Sequence, residues 1–346
     1  MCRRPRLWST ALANQTVVLI GSESLLAREV RDIVATSGRG LDLRLIAADD
    51  EKAGALTRVG DEPAVVIDLT AENLSGGAVI MLAGSATANR KAVELAPEGA
   101  AVIDMTCALE DRPDARLRAP LVESDEDNED PRDAAVHVIA HPAAIALALF
   151  LRRLHSIEPV KRAVIQVFAP ASEHGTPGVE ELQQQTVSLL SFKKMPKAIF
   201  DAQSSFNLLA KYGEEAPVSL DDTELRIERH LATLLALPGD GEGAPMPSLR
   251  VVQAPVFHGY SFSAWVEFEV NPGVDTFESG LSMGAIEVRS GDFDPPSNVS
   301  QAGQGGIAVG AVVADRNQPE ACWFWLVADN LRTTAENAVA VARQLV

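Results

Sequence analysis

The spacing of polar and apolar positions changes near the middle of the chain. In the first half, short continuous apolar runs alternate with stretches of helical spacing. The first run, Gln15-Thr-Val-Val-Leu-Ile-Gly21, closes on glycine, as a strand buried on both faces does. Residues 24–37 then repeat apolar positions at helical spacing and stop before Gly38. Apolar runs at 43–48, 64–69, 78–83 and 101–105 predict further strands, and 89–95 predicts one of the intervening helices. Residues 137–140 predict the last strand of this sheet, with Pro142 in the first turn of the next helix. Strands alternating with helices build βαβ units and a doubly wound parallel sheet.

The second half has longer apolar stretches, some of them alternating. Strands are predicted at 163–169, 249–255, 262–270, 286–289, 307–314 and 323–328, interrupted by helices at 177–192 and 221–236. That is an α+β unit with a mixed or antiparallel sheet. Residues 330–345 predict a terminal amphipathic helix. The run at 123–133 is acidic and reads as a solvated loop, and the Gly/Pro-rich stretch 238–247 reads as a loop insertion.

Composition narrows the classes. The 346 residues carry 30 Lys and Arg against 48 Asp and Glu, a net charge of −18. A field of that sign argues against nucleic acid or an anionic membrane as partner. Three cysteines (Cys2, Cys107, Cys322) make neither a disulfide framework nor a zinc site, so a reducing compartment, the cytoplasm, is expected. No run reaches the ~18 apolar residues of a membrane span. Residues 1–14 contain Arg3, Arg4 and Arg6 without the apolar stretch of a signal peptide, and read as a disordered tail. The six histidines lack metal-ligand spacing, so no metal is expected.

The turn after the first strand, Gly21-Ser22-Glu23-Ser24-Leu25-Leu26-Ala27, is a depleted dinucleotide fingerprint. Gly21 remains, Ser24 stands at the middle glycine, and Ala27 can serve where close helix–strand packing is needed. Glu23 puts a carboxylate beside the anion site. Taken alone, the turn is equally that of any strand–helix connection in such a fold.

Several segments together resemble aspartate-semialdehyde dehydrogenase across roughly 15–346. They include Val17-Val-Leu-Ile-Gly21, Val138-Ile-Ala-His-Pro142, Gln203-Ser-Ser-Phe-Asn-Leu-Leu209, Gln253-Ala-Pro-Val-Phe-His-Gly-Tyr-Ser261 and Trp325-Leu-Val-Ala-Asp-Asn-Leu-Arg332. The nearest likeness is to a USG-1-like paralogue group that lacks the catalytic cysteine. The resemblance implies a Rossmann-like nucleotide-binding domain at 15–140 and an α+β dimerisation/substrate domain at 141–328. It also implies a C-terminal helix at 329–346 returning to the first domain, and a homodimer formed through the second sheet.

The family reduces aspartyl-β-phosphate with NADPH, using a thiolate nucleophile, a histidine for proton transfer and an arginine for the substrate carboxylate. Carried over residue by residue, the cysteine falls on Ala144, the arginine on Gln253 and the histidine on Tyr260. His141 and His258 are the substitutes at hand. The active-site glutamine falls near Phe168 or Ala169. A phosphate-binding arginine becomes Glu110, in the segment that also holds Cys107, while Arg226 falls near a phosphate-contacting lysine and still suits an anion. Glu173-His174-Gly175 occupies a glycine-rich loop near the substrate and reads as loop geometry.

On the cofactor side the resemblance points to Gly21, Ser22, Ser24, Leu25, Gly84 and Asn330, of which Gly84 and Asn330 also suit turn geometry and capping. Asp49, Asp50 and Glu51 stand where the family holds the 2′-phosphate of NADP, so by charge NAD is favoured over NADP if either binds. The expected function is an aspartate-semialdehyde dehydrogenase-like protein, inactive or repurposed. One alternative is an active NAD(P)-dependent oxidoreductase acting on an aldehyde or acyl phosphate in aspartate-family amino-acid biosynthesis. The other is an interaction or scaffold subunit, including a mixed dimer with an active relative.

Overall fold

The computed structural model describes residues 15–37, 40–124, 130–238 and 243–346. The predicted tail at 1–14, the centre of the acidic run at 125–129, and residues 239–242 of the loop insertion lie outside these.

The first half folds as β1 (Gln15–Ile20), α1 (Leu25–Ser37), β2 (Leu41–Ile46), β3 (Leu56–Val59), β4 (Glu62–Val65), α2 (Ala71–Leu74), β5 (Val79–Leu82), α3 (Ala86–Leu95), β6 (Ala101–Asp104), β7 (Ala115–Arg118) and β8 (Val136–Ile139). Six strands form one parallel sheet in the order β2-β1-β5-β6-β8-β7. Val17 to Ile20 and Val79 to Leu82 are buried on both faces, which is why they read as unbroken apolar runs. The chain leaves β1 toward β2 on one side and toward β5 on the other. This reversal opens a crevice at the carboxyl ends of β1 and β5, where such sheets hold ligands.

One expected strand is absent from this sheet and one unexpected strand joins it. The run at 64–69 is not a strand of this sheet. Gly60, at φ +57°, turns the chain so that Leu56–Val59 pairs with Glu62–Val65 in a separate hairpin, leaving one bridge from Ile67 to Ile46. The strand near 137–140 is, as expected, the last of this sheet in chain order, but β7, which the sequence reading missed, flanks it at the edge. Ala115-Arg-Leu-Arg118 alternates charged and apolar residues and gives no apolar run, yet Arg118 is buried by its ion pair with Glu123 at 2.8 Å.

The second half contains α4 (Pro142–Ile157), β9 (Val160–Ala169), α5 (Gly175–Leu190), α6 (Leu220–Leu235), β10 (Ser248–Gln253), β11 (Tyr260–Phe268), α7 (Val274–Leu281), β12 (Ile286–Arg289), α8 (Asn298–Gln301), β13 (Ile307–Ala314), β14 (Ala321–Ala328) and α9 (Asn330–Leu345). Its sheet runs β10-β9-β11-β14-β13-β12 and is mixed, with parallel pairs at both edges and antiparallel pairs between. One face packs on helices. Phe324 of β14 meets Phe150 of α4 and Phe277 of α7 edge-on, at centroid distances of 5.2 and 5.6 Å. On the opposite face the register sets Trp265 of β11 beside Val164 of β9 and Trp323 of β14. The short α7 escaped the sequence reading because a two-turn helix opened by Gly273 shows too little periodicity.

The C-terminal helix returns to the first sheet. Asp329 caps it by accepting from the Leu331 and Arg332 amides, and Arg332 pairs with Asp32 of α1 at 2.8 Å. No helix among the described residues is long and apolar enough to cross a membrane.

Candidate functional site

A cleft of about 800 Å³ lies over the carboxyl ends of β1, β5, β6 and β8. The start of α4, the loop after β9, α6 and the start of α9 complete its walls. Its lining includes six carboxylate residues (Glu23, Asp49, Asp50, Glu51, Glu173, Glu180), and Arg226 is its one Arg or Lys among the described residues.

The end of the cleft beside β1 and β5 is built around two glycines. Gly21 takes φ +75°, and a Cβ there would sit 2.6 Å from the Gly84 nitrogen. The two turns therefore pack backbone to backbone, and Gly84 lines the cleft while Gly21 and Ser22 stand behind it. Carboxylates of the chain itself occupy part of the anion-binding backbone. Glu51 accepts from the Glu23 amide at 2.9 Å, the Ala48 amide at 3.2 Å and the Ser22 hydroxyl at 3.3 Å. Asp49 accepts from the Ser85 amide at 2.9 Å and from the Ser85 hydroxyl. At the start of α1, the Leu25 and Leu26 amides have no partner among the described residues.

These residues do not fit a 2′-phosphate, which would meet Asp49, Asp50 and Glu51. They fit a nucleotide with a free 2′-hydroxyl, since carboxylates at the end of β2 can accept from ribose and the α1 amides can donate to pyrophosphate. Asn330 adds a donor at the far end. Its Oδ1 accepts from the Ser172 hydroxyl at 3.2 Å and the Gly259 amide at 3.0 Å, which leaves Nδ2 without a partner among the described residues, on a residue lining the cleft.

At the other end, His141 caps α4. Its Nδ1 accepts from the Ala143 amide at 3.2 Å, so Nε2 carries the proton and donates to Glu173 at 3.0 Å. The other Glu173 oxygen accepts from the Tyr260 hydroxyl at 2.8 Å. Burial opposes ionisation of Glu173, but His141, His174 and the Tyr260 hydroxyl outweigh it and hold the carboxyl below its ordinary range. Burial pushes the Tyr260 phenol well above its own range, with Glu173 adding to the effect.

The structure separates the family-equivalent positions from the cleft. Ala144, Gln253 and Tyr260 are each fully buried and none lines it. Gln253 donates to the Ala169 and Ala254 carbonyls and accepts from the Tyr212 hydroxyl at 2.7 Å. An amide engaged on both sides has no donor left for a substrate carboxylate. Tyr260 faces Glu173 inside the wall. His258 lies outside the cleft as well, in the turn before β11, where its carbonyl accepts from Asn298. Phe168 and Ala169 are on β9, away from the lining.

Glu110, where the resemblance expects an arginine, is enclosed by two arginines and a histidine. Arg226 binds both of its oxygens at 3.0 and 3.2 Å, His230 donates to it at 3.2 Å, and Arg229 stands at 3.4 Å. Burial would raise its pKa, but His230 and Arg226 lower it to about 2. The terminal nitrogens of Arg226 have no partner among the described residues, so this residue keeps capacity for an anion.

Cys107 lines the cleft at φ +58°, in a turn held by Asp104, which accepts from the Thr106 and Leu109 amides. Burial and then Asp104 push its thiol pKa up, the opposite of what a thiolate nucleophile needs. Cys107, Glu110 and His230 offer donor atoms within 4.8 Å of one another. His230 Nδ1, however, accepts from the His141 amide at 2.9 Å, so Nε2 bears its proton, and Arg226 already holds the carboxylate. With the Cys107 thiol directed at the Ile139 carbonyl, the trio does not suit a cation.

Sequence reasoning passed over Glu173 and His174 as loop residues and missed Tyr212. A Glu-His pair before a glycine was the available signal. Tyr212 gave none, because it reaches Gln253 and His174 only through the packing of an irregular segment.

Comparison with known proteins follows the same outline. The family described as "Semialdehyde dehydrogenase, dimerisation domain" matches residues 151–333. The chain is 27% identical to the aspartate-semialdehyde dehydrogenase of Aquifex aeolicus over 337 residues, covering 95% of this chain and 97% of the relative. It is 29% identical to a USG-1 protein homolog of Pseudomonas aeruginosa over 308 residues, 87% of this chain and 88% of that one. A solved structure of a probable aspartate-semialdehyde dehydrogenase from Pseudomonas aeruginosa superposes with a TM-score of 0.79 at 26% identity, covering 96% of this chain and 98% of its own.

Proposed function

From the premise that this chain belongs to the semialdehyde dehydrogenase family, through its dimerisation domain, we propose that it keeps the family's cleft but does not carry out thiol-based reduction of an acyl phosphate. The observation that carries this reading is at the start of α4, where Ala144 supplies no nucleophile and is fully buried. Gln253 and Tyr260, at the two partner positions, are tied into internal hydrogen bonds. Removing an essential nucleophile costs on the order of 10⁶ in rate. The cleft is read as accepting a nicotinamide nucleotide with a free 2′-hydroxyl, a preference supported by Asp49 and Glu51.

The division at 15–140, 141–328 and 329–346 belongs to the same reading and is supported by the two separate sheets. So does a homodimer through the outer face of the second sheet, where Val164 is 53% and Trp323 41% exposed. A mixed dimer with an active relative would use that face. The unpaired thiols of Cys107 and Cys322 support a cytoplasmic setting.

The test is oxidation of aspartate semialdehyde in phosphate buffer with NAD⁺ or NADP⁺, beside fluorescence titrations with NADH and NADPH. No turnover, with NADH bound more tightly than NADPH, is the expected result. A second reading, an active enzyme, rests on Cys107 lining the cleft. Phosphate-dependent turnover abolished by Cys107→Ser would establish it and overturn the first.

A further inference from the structure

We propose that His174 is the proton-accepting base of the cleft, acting through Nδ1 on a small ligand that carries a hydroxyl beside an ionised group. This rests on the reading above that the cleft has no thiol chemistry.

The directions of four hydrogen bonds fix the imidazole tautomer. The Gln253 amide nitrogen donates to the Ala169 carbonyl at 3.0 Å and the Ala254 carbonyl at 2.9 Å. Its Oε1 is therefore the atom that faces Tyr212, and it accepts the phenolic proton at 2.7 Å. A phenol has one proton to give. The Tyr212 oxygen, 2.8 Å from His174 Nε2, must then accept from that nitrogen. A neutral imidazole carries a single N–H, so Nδ1 holds a lone pair. Nδ1 has no partner among the described residues and is not sealed from solvent, and His174 lines the cleft.

The ring is also clamped, edge-on to Phe200 and to Tyr212 with centroids 5.4 Å away in each case. Burial lowers the His174 pKa, with Glu173 beside it and Glu181 of α5 opposing, which keeps it neutral and able to accept near pH 7. His141 cannot take this role, because both of its ring nitrogens are engaged. Gln253 and Tyr212 are thus positioning residues, the groups behind a base.

The ligand class follows from the charges that line the same cleft. Arg226 is the cation with free N–H groups on the same cleft, and it takes the ionised end. The hydroxyl lies against His174 Nδ1. In the transfer the O–H bond breaks with its electron pair left on oxygen, N–H forms at Nδ1, and the imidazolium charge is met by Glu173 and Glu181.

The experiment uses the full chain labelled with ¹⁵N-histidine, followed by long-range ¹⁵N–¹H correlation, with His174→Asn to assign the resonance. Expected are a protonated Nε2, a bare Nδ1, and carbethoxylation of His174 by diethyl pyrocarbonate. Tyr212→Phe keeps the ring against Phe200 and removes the acceptor, so a mixture of tautomers is expected. Glycolate, the smallest probe with both groups, is expected to move the Nδ1 resonance, and Arg226→Gln to abolish that shift. A wild-type Nδ1–H tautomer, an unreactive His174, or a tautomer unchanged in Tyr212→Phe overturns the base, and no glycolate shift overturns the ligand class. None of these readouts uses a nucleotide or a semialdehyde, so failure here is separable from failure of the proposed function.

Discussion

At the scale of single residues, Ala144, Gln253 and Tyr260, onto which the resemblance carries the family's chemistry, are parts of the interior. Gln253 shows this most directly. It joins β10 to the Ala169 and Ala254 carbonyls and holds the Tyr212 hydroxyl. Gln253→Ala leaves the Ala254 carbonyl and the Tyr212 hydroxyl proton without their partner in a buried site and is expected to cost about 2–4 kcal/mol in urea unfolding. Glu110 carries a pH signature. Its carboxyl titrates at about 2 in the fold, against ~4.3 in an unfolded chain. A depressed folded pKa gives stability that is present above ~4.3 and lost as the pH falls toward 2. Unfolding followed across that window should therefore show a shallower acid loss in Glu110→Gln than in wild type.

At the scale of elements, the outer face of the second sheet exposes apolar side chains of ordered strands, Val164 and Trp323 among them. The β9, β11 and β14 register lines up Val164, Trp265 and Trp323, and Asp315 accepts from the indole nitrogens of both tryptophans at 3.0 and 2.7 Å. Both indoles are thereby tethered to one carboxylate, with the Arg162 guanidinium over the Trp265 ring at 5.5 Å. Trp323→Glu places an unpaired charge at the centre of that face and is expected to convert a dimer into monomers by sedimentation velocity, with the fold retained. The element pattern itself was readable wherever a strand was buried on both faces or a helix was long. The run at 64–69 and the edge strand β7 were not, because a hairpin turn at Gly60 and a buried Arg118–Glu123 pair decided them.

At the scale of the molecule, the charge of the cleft lining is the ground for the proposed nucleotide preference. Six carboxylate residues and Arg226 line it, and two of the carboxylates already occupy backbone donors that a phosphate would need. Glu51→Gln is expected to narrow the preference of NADH over NADPH several-fold, read as the ratio of the two dissociation constants. An unchanged ratio would place the source of discrimination elsewhere.

The sequence alone determined the two-sheet α/β plan, the presence of a C-terminal helix, and the identity of Ala144, Gln253, Tyr260 and Glu110. Those depend on local periodicity and on which side chain is present. It also determined the acidic character of the loop after β2. Only the tertiary structure decided which of these residues meet the cleft. Gln253 and Tyr260 turn inward because each finds a buried partner, Tyr212 and Glu173, distant in sequence. The free nitrogen of His174 is set by a hydrogen-bond chain through Tyr212 and Gln253, spanning loop and strand. Proton direction along such a chain depends on every member being in place, and no spacing of residues in a sequence encodes it.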